Sequence, residues 1–358
     1  MASNVTYCTI IYITFLLLLC KNVQGIVPAV YVFGDSLADV GNNNHLPFSL
    51  LKANFPHNGV DYPGRKATGR FSNGKNLADF LSQNLGLQTS PPYLSLSSKS
   101  NNTSVYLTAG VSFASGGAGI LNSTNWGACI NFDQQIDYYS TVYGTIVQQL
   151  GTVQAQDHLS KSVFAIVIGS NELLDYARSN SANKATPQQF VDSIIPTLQG
   201  QLKRIYNLGA RKFVFLGTGP VGCCPALREQ NKTKECNAGG NYASVLYNQA
   251  VSSLLNEMST QFTDMSYSFL DTSTVLLQYI QQPAAYGFTE VKSACCGLGD
   301  LNAKVACLPI ATYCSNRSNH IFWDYYHPTE ATARMVVSTA FDGSAPLVYP
   351  LSIRQLAS

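Results

Sequence analysis

A serine hydroxyl stands just after an apolar segment that predicts a buried β-strand. Residues 26–33 are apolar and rich in β-branched and aromatic side chains, Gly34 interrupts them, and Ser36 follows two positions later. In an open parallel sheet, ligands bind at the carboxyl ends of the strands. A serine in this position is suited to act as a nucleophile. The same Gly-Asp-Ser sequence also fits an ordinary turn in which Ser36 caps a helix.

A carboxylate and an imidazole lie three residues apart near the other end of the chain. Asp324 and His327 precede Pro328, which disfavours helical geometry for His327 and suits the first position of a helix over 328–341. Asp324 can therefore reach the imidazole across a tight turn. An imidazole activates a serine by accepting its proton, and a carboxylate on the other ring nitrogen fixes the tautomer. An Asp-capped turn with a solvated histidine is the alternative interpretation.

Two further polar positions follow predicted strands. Gly116 lies in the small-residue tract 114–119, and Asn171 follows the buried strand predicted at 163–169. The N–H groups of Ser36 and Gly116 and the side-chain amide of Asn171 are suited to stabilise the oxyanion that forms when a serine attacks an ester carbonyl. The combination predicts ester hydrolysis. A glycine-rich bend that packs a helix against the sheet is the alternative interpretation of the tract.

The segments that carry these residues alternate between strand-like and helix-like patterns. Strands are predicted at 26–33, 105–113, 163–169, 212–216 and 266–270, and helices at 76–86, 131–150, 187–208, 240–262 and 328–341. Such alternation is typical of a doubly wound α/β sandwich. No repeat, linker or block of charge divides the chain, so we expect a single domain over 26–358.

The amino terminus is typical of a secretory signal peptide. Residues 9–20 are apolar apart from two threonines, and this run is too short to span a bilayer, which needs roughly 20 residues. Val23 and Gly25 provide small residues for cleavage, so we expect residues 1–25 to be removed and the protein to be extracellular or vacuolar. No Lys or Arg precedes the apolar run, which leaves a membrane-anchored start open. No later stretch is long and apolar enough to insert stably in a membrane.

Composition argues against a nucleic-acid partner. Charged residues make up 12% of the chain, the net charge is +2, and Lys and Arg form no runs. Residues 69–75 have the G-x₄-G-K spacing of a phosphate-binding loop, but Asn76 follows where Ser or Thr should bind magnesium. We therefore expect no cofactor and no metal, and a monomer. Glycosylation sequences occur at Asn101, Asn102, Asn122, Asn231 and Asn316.

The cysteines predict disulfide bonds. Of ten cysteines, Cys8 and Cys20 fall in the predicted signal peptide, which leaves an even number behind it. Local pairs within 223–236 and 295–314 are expected, although eight cysteines allow 105 connectivities and not all of them need to pair. A zinc cluster at 295–314 is disfavoured because no C-x₂-C pair occurs.

The sequence resembles the plant GDSL esterases/lipases of the SGNH hydrolase superfamily. The resemblance covers 28–341 and rests on four blocks in order, Phe33-Gly34-Asp35-Ser36-Leu37, Ala114-Ser115-Gly116-Gly117-Ala118-Gly119, Ile168-Gly169-Ser170-Asn171-Glu172 and Asp324-Tyr325-Tyr326-His327-Pro328. It implies a flavodoxin-like, three-layer α/β/α sandwich with a mainly parallel sheet. It further implies Ser36 as nucleophile, His327 as base, Asp324 as its orienting carboxylate, and Gly116 and Asn171 as oxyanion donors.

The resemblance leaves the substrate open. Members of the family act on short acyl esters, lipids, acetylated wall polymers and specialised metabolites, so the partner is expected to be an ester of one of these kinds. An acyltransferase with the same residues and a catalytically silent extracellular binding glycoprotein are the alternatives. Glu172 departs from the Asp that usually follows the block's Asn, and we expect a small effect because Asn171 is present.

Overall fold

The structure is a computed structural model that describes residues 27–96, 103–179 and 184–358. The predicted signal peptide over 1–25 and the glycosylation sequences that begin at Asn101 and Asn102 lie outside the described residues. The strands in chain order are β1 (Val30–Gly34), β2 (Val163–Val167), β3 (Lys212–Leu216), β4 (Ser266–Leu270), β5 (Glu290–Ala294), β6 (Cys296–Gly297), β7 (Thr312–Tyr313), β8 (His320–Phe322) and β9 (Val348–Pro350). The helices are α1 (Leu77–Asn84), α2 (Tyr93–Leu96), α3 (Thr103–Thr108), α4 (Phe132–Leu150), α5 (Thr152–Lys161), α6 (Ser170–Arg178), α7 (Pro187–Asn207), α8 (Pro225–Gln230), α9 (Ala238–Gln261), α10 (Thr272–Gln281), α11 (Glu330–Asp342) and α12 (Ile353–Ala357).

Strands β1 to β4 form a parallel sheet in sequential order, and β9 joins its far edge antiparallel to β4. Residues 111–113 extend the other edge alongside β1. The Val32 N–H donates to the Val111 carbonyl at 2.9 Å, and the Phe113 N–H donates to the Val32 carbonyl at 2.7 Å. With helices on both faces, this arrangement is an α/β/α sandwich with a mainly parallel sheet, which confirms the predicted fold class.

Both faces of the sheet are buried because successive side chains of a strand point to opposite sides. Tyr31 and Phe33 pack in one apolar core with α4, α7 and α9, whereas Val30 and Val32 pack in a second core with α1, α10 and α11. Burial on two sides explains why the strands are continuously apolar in the sequence. Since β1 to β4 run in one direction, the segments that follow them meet at the same edge of the sheet.

The strand predicted over 105–113 is wrong in its first half. Residues 105–108 belong to helix α3, whereas 111–113 run alongside β1 and Ser112 forms an isolated β-bridge to Val32. Gly110, with φ of 78°, ends the helical segment with its N–H bonded to the Val105 carbonyl. A glycine in the left-handed region is a common helix terminator, and the apolar alternation before it obscured this signal.

The helix predicted to begin at Pro328 begins two residues later. Thr329 caps α11, since its side chain accepts the Thr332 N–H at 3.2 Å. Pro328 instead pairs with Phe322 in an antiparallel bridge. The proline therefore belongs to the turn that presents His327 rather than to the helix.

Three disulfides lie in the regions where local pairs are expected: Cys223–Cys236, Cys295–Cys314 and Cys296–Cys307. The last two surround the fully buried Trp323. Cys129 and Cys224 are free thiols. No helix within the described ranges is long and apolar enough to cross a membrane, and no cluster of three potential metal ligands occurs among the same residues.

Removing the Cys295–Cys314 bridge is expected to destabilise the protein strongly. The bridge joins residues 19 positions apart, and closing a loop of this size contributes about 3 kcal/mol through the entropy of the unfolded chain. A Cys295→Ser, Cys314→Ser double variant should lower the free energy of unfolding in urea by that order. Cys129→Ser, which removes a free thiol, is the matched control and should change it much less. Equal midpoints for the double variant and the wild type would contradict the prediction.

Candidate active site

Ser36 lies on a sharp turn at the carboxyl end of β1. Gly34 has φ of 146°, and a Cβ at this position would lie 2.1 Å from the Val167 carbonyl oxygen of the neighbouring strand. Only glycine therefore allows β1 and β2 to approach this closely. The Asp35 carboxylate then accepts the Leu37 N–H at 2.9 Å, which fixes the turn and leaves the half-buried Ser36 side chain facing the cavity described below.

The turn before α11 brings an imidazole to this serine across 291 positions of sequence. His327 Nε2 lies 2.8 Å from Ser36 Oγ, and His327 Nδ1 lies 2.8 Å from each carboxylate oxygen of Asp324. Asp324 Oδ1 also accepts the backbone N–H groups of Tyr326 and His327. One carboxylate therefore both closes the turn and orients the ring. The serine, histidine and aspartate predicted from the sequence are in contact in the order that nucleophilic catalysis requires.

Neighbouring segments fix the position of the imidazole. The backbone N–H of Trp323 donates to the backbone carbonyl of His327 at 2.8 Å, and this bond closes the turn. The Phe71 ring packs against the imidazole with 4.9 Å between ring centroids. His327 is 9% exposed, so its imidazole is held mainly by contacts within the protein.

The predicted donor at Gly116 needs correction. Its N–H donates to Asp39 Oδ2 at 2.9 Å, so this hydrogen is already engaged within the protein. Gly117, the next residue, lines the cavity beside Ser36 and Asn171. Within the described residues, no acceptor is bonded to the N–H of Gly117 or of Ser36. Two adjacent glycines were present in the sequence, and the spacing alone did not distinguish them.

Asp39 explains why Gly116 is engaged. Its Oδ1 accepts the N–H groups of Gly41 and Asn42, each at 2.7 Å, while Oδ2 accepts that of Gly116. Asn43 completes the contact, because its side-chain amide donates to the Gly116 carbonyl at 2.8 Å. Burial raises the pKa of Asp39 to about 6, although these backbone donors favour the ionised form. The carboxylate and amide thus hold both backbone groups of Gly116, the residue before Gly117.

Asn171 and Glu172 lie in the first turn of helix α6, and their side chains make different contacts. The Asn171 side-chain amide donates to the Ala118 carbonyl at 2.8 Å, and an amide nitrogen has a second hydrogen to offer. Glu172 is buried, and its Oε1 accepts the Leu121 N–H and the Thr124 hydroxyl. The glutamate therefore supports the loop after Gly117 rather than entering the cavity. This position is consistent with the expected small effect of the replacement.

A cavity of about 400 Å³ opens beside the serine. Ser36, Asn171 and His327 all contribute to its wall. Most of the remaining wall is apolar and comes from several segments, including Leu51, Phe55, Leu77, Leu174, Val221, Leu276 and Val336. Lys52, Asp175 and Arg178 also line the cavity, so its wall offers charged as well as apolar contacts to a bound molecule.

The segment with phosphate-loop spacing has a structural role instead. Arg70 makes a bidentate ion pair with Asp79 at 2.7 and 2.8 Å, and both side chains are buried. Asn73 Oδ1 accepts the N–H of Glu330 at the start of α11. The ion pair attaches the segment to α1, and the Asn73 contact attaches it to α11, the helix that follows His327. The sequence contained no direct signal for the contact between Phe71 and the imidazole.

The remaining predicted modification sites lie within the described residues. Asn122 and Asn316 are exposed, and Asn231 is half-buried. The Asn231 side-chain amide donates to the Glu235 carbonyl at 3.1 Å. Their glycosylation stays a prediction.

Asp35 is expected to make stability depend on pH. Burial raises the pKa of Asp35 to about 7, above the value of about 3.9 in an unfolded chain. The fold therefore binds this proton more tightly than the unfolded chain does, and the corresponding stability is lost as pH rises from about 4 through 7. In Asp35→Asn this loss is absent, so the unfolding free energy of the variant minus that of the wild type should increase over this range.

Urea denaturation at a series of pH values measures this difference. Asp61→Asn is the matched control, because the hydrogen bond from Arg317 lowers the pKa of Asp61. Its stabilising effect is present above the unfolded pKa and is lost as the pH falls below about 4, so the difference for Asp61→Asn should have the opposite slope there and stay nearly constant from about pH 5 to 7. A pH-independent difference for Asp35→Asn would show that the carboxyl ionises normally.

Comparison with known proteins identifies the family. The family model described as GDSL-like Lipase/Acylhydrolase matches residues 30–339. One Arabidopsis thaliana GDSL esterase/lipase is 44% identical over 340 residues, which cover 93% of this chain and 90% of the relative. A second is 38% identical over 341 residues, which cover 94% of this chain and 87% of the relative. The resemblance found in the sequence is thereby confirmed, and the chain belongs to the GDSL-like lipase/acylhydrolase family.

Proposed function

We propose that this protein hydrolyses carboxylic esters through an acyl-enzyme on Ser36. Membership of the family makes it a carboxylic-ester hydrolase, and the proposal assigns the steps to residues. The observation that carries the assignment is the 2.8 Å contact between His327 Nε2 and Ser36 Oγ, with Asp324 on the other ring nitrogen. Ser36 Oγ attacks the ester carbonyl while His327 accepts the hydroxyl proton.

His327 then returns this proton to the departing alcohol, so that the C–O bond to the alcohol breaks and an acyl-serine remains. Water enters, His327 takes one of its protons, and the hydroxide attacks the acyl carbon. The proton passes to Ser36 Oγ as the carboxylic acid leaves. Asp324 stabilises the imidazolium in both stages and keeps the free Nε2 directed at the serine.

The oxyanion of each tetrahedral intermediate is proposed to bind three donors. These are the N–H groups of Ser36 and Gly117 and the side-chain amide of Asn171. All three residues line the same cavity, and the first two N–H groups have no bonded acceptor within the described residues. Gly116 contributes indirectly, since Asp39 and Asn43 fix the peptide next to Gly117. Loss of one such donor typically lowers the rate by about 10²–10³.

The setting of this reaction is proposed from the sequence. The chain is proposed to lose residues 1–25, to fold as one domain over 26–358 and to act as a monomer in an extracellular or vacuolar compartment. Three disulfides support an oxidising environment. Exposed glycosylation sequences at Asn122 and Asn316 support passage through the secretory pathway. The apolar cavity supports a substrate with a lipid-like acyl or alcohol group.

An active-site-directed phosphonate is expected to label Ser36 and no other residue. Ser36→Ala should abolish the labelling and lower kcat for a soluble ester by about 10⁴ or more. Mass spectrometry of the labelled protein identifies the modified residue. Ser193→Ala is the matched control, because this serine is exposed on the surface of α7. A wild-type protein that reacts with no phosphonate and hydrolyses no ester would overturn the proposal.

Asp324→Asn is expected to fold normally and to lose most turnover. The amide oxygen can still accept the N–H groups of Tyr326 and His327 that hold the turn, but the amide favours the wrong tautomer of His327. We expect kcat to fall by about 10⁴ with an unchanged far-ultraviolet circular dichroism spectrum. Near-normal kcat would remove Asp324 from the mechanism.

A further inference from the structure

Most of the exposed large apolar side chains lie close in sequence to residues that line the cavity. Nine large apolar residues are exposed among those the structure describes. Six lie within two residues of a side chain that lines the cavity. We call the five most relevant of them the apolar rim: Phe48, Leu50, Trp126, Leu308 and Ile310. Four are 75% or more exposed, which is unusual for residues of this size.

The rim is continuous with the cavity. Leu50 and Leu308 belong to both, since they are exposed and also line the cavity wall. Trp126 follows Asn125, which lines the cavity and donates to the Gly117 carbonyl at 2.8 Å. Leu50 and Leu308 therefore connect the exposed apolar surface with the cavity wall.

The loops that carry the rim are held in place. The Ser49 hydroxyl donates to the Ala128 carbonyl at 2.6 Å, which joins the loop of Phe48 to the loop of Trp126. The loop of Leu308 is attached through the Cys296–Cys307 disulfide. The apolar side chains are thus exposed on anchored segments rather than on free ends.

The same loops contain no charged residues. Residues 46–51, 120–130 and 305–311 include no Asp, Glu, Lys or Arg, although the chain has 42 of these residues in total. Lys52 directly follows the first segment and lines the cavity, and Lys304 directly precedes the third, so two cations flank the rim. Within the segments themselves, removal of apolar area from water is the interaction available, and it favours an apolar phase.

We propose that the apolar rim docks the protein onto the surface of an uncharged, aggregated lipid ester. Docking would place the cavity mouth directly against the lipid, so that an acyl chain leaves the lipid phase and enters the cavity without crossing water. The inference rests on the proposed function because it takes the cavity as the ester-binding site. It goes further in assigning a physical state to the substrate, namely a water-insoluble one presented at an interface.

Adsorption to an emulsion tests docking separately from catalysis. In the inactive Ser36→Ala background, flotation with trioleoylglycerol droplets should recover the protein with the lipid. A Phe48→Ser, Trp126→Ser, Ile310→Ser triple variant should partition at least tenfold less, since two aromatic and one aliphatic side chain are lost. Val153→Ser is the matched control, because Val153 is 77% exposed but lies on α5, outside the rim. Raising the salt to about 1 M should not release the protein.

The outcomes are distinct. Equal adsorption of the triple variant and the wild-type surface, or release by salt, would overturn the docking proposal. A dimer of the wild-type protein that the triple variant abolishes, seen by sedimentation velocity, would show that a second copy covers the rim and would also overturn it. A further readout uses the triple variant with Ser36 intact. Its turnover on the emulsion should fall, whereas its turnover on soluble p-nitrophenyl acetate should stay close to that of the wild type. An active-site failure would remove both turnovers while leaving adsorption intact.

Discussion

The contact between His327 and Ser36 depends on two chain segments 291 residues apart meeting at one edge of the sheet. It requires that β1 end in a turn tight enough to present Ser36, and Gly34 provides this turn by allowing close approach to the Val167 carbonyl. It also requires a rigid turn before α11. Asp324 satisfies that second requirement with the carboxylate that orients the imidazole. The local turn and the position of the imidazole are therefore set by the same few atoms.

Buried polar groups behind the site give it rigidity at an energetic cost. Asp35, Asp39 and Glu172 are almost completely buried, and burial raises the pKa of each. Backbone N–H groups compensate part of this cost by donating to all three carboxylates. Asp35 and Glu172 each retain one buried oxygen without a partner among the described residues. The loops of the site are thus held by directional bonds, where apolar packing alone would allow them to slide.

The sequence was sufficient for the fold class and for the serine, histidine and aspartate that are in contact. The fold class was predictable because continuously apolar strands that alternate with helices indicate a sheet buried on both faces. The contact between Asp324 and His327 was predictable because both residues lie in one turn. Side-chain partners distant in sequence could not be derived in this way. Asp39 engages the Gly116 N–H across 77 positions, and Phe71 reaches His327 from a loop whose spacing suggested phosphate binding. Such contacts depend on the three-dimensional course of loops, for which periodicity carries no signal.

Rigid loops and apolar side chains near the cavity both affect the binding free energy of an apolar acyl chain. An acyl chain entering the cavity loses its conformational freedom, and a fixed wall does not lose any in return, so burial of apolar area is retained as binding free energy. The wall that contains Leu51 and Leu174 continues outward to the exposed Leu50 and Leu308. Apolar side chains therefore line part of the way from solvent to Ser36, beside the charged Lys52, Asp175 and Arg178. Along the apolar part, a polar acyl group would be desolvated without compensating hydrogen bonds, and this cost is the physical basis of the apolar substrate proposed above.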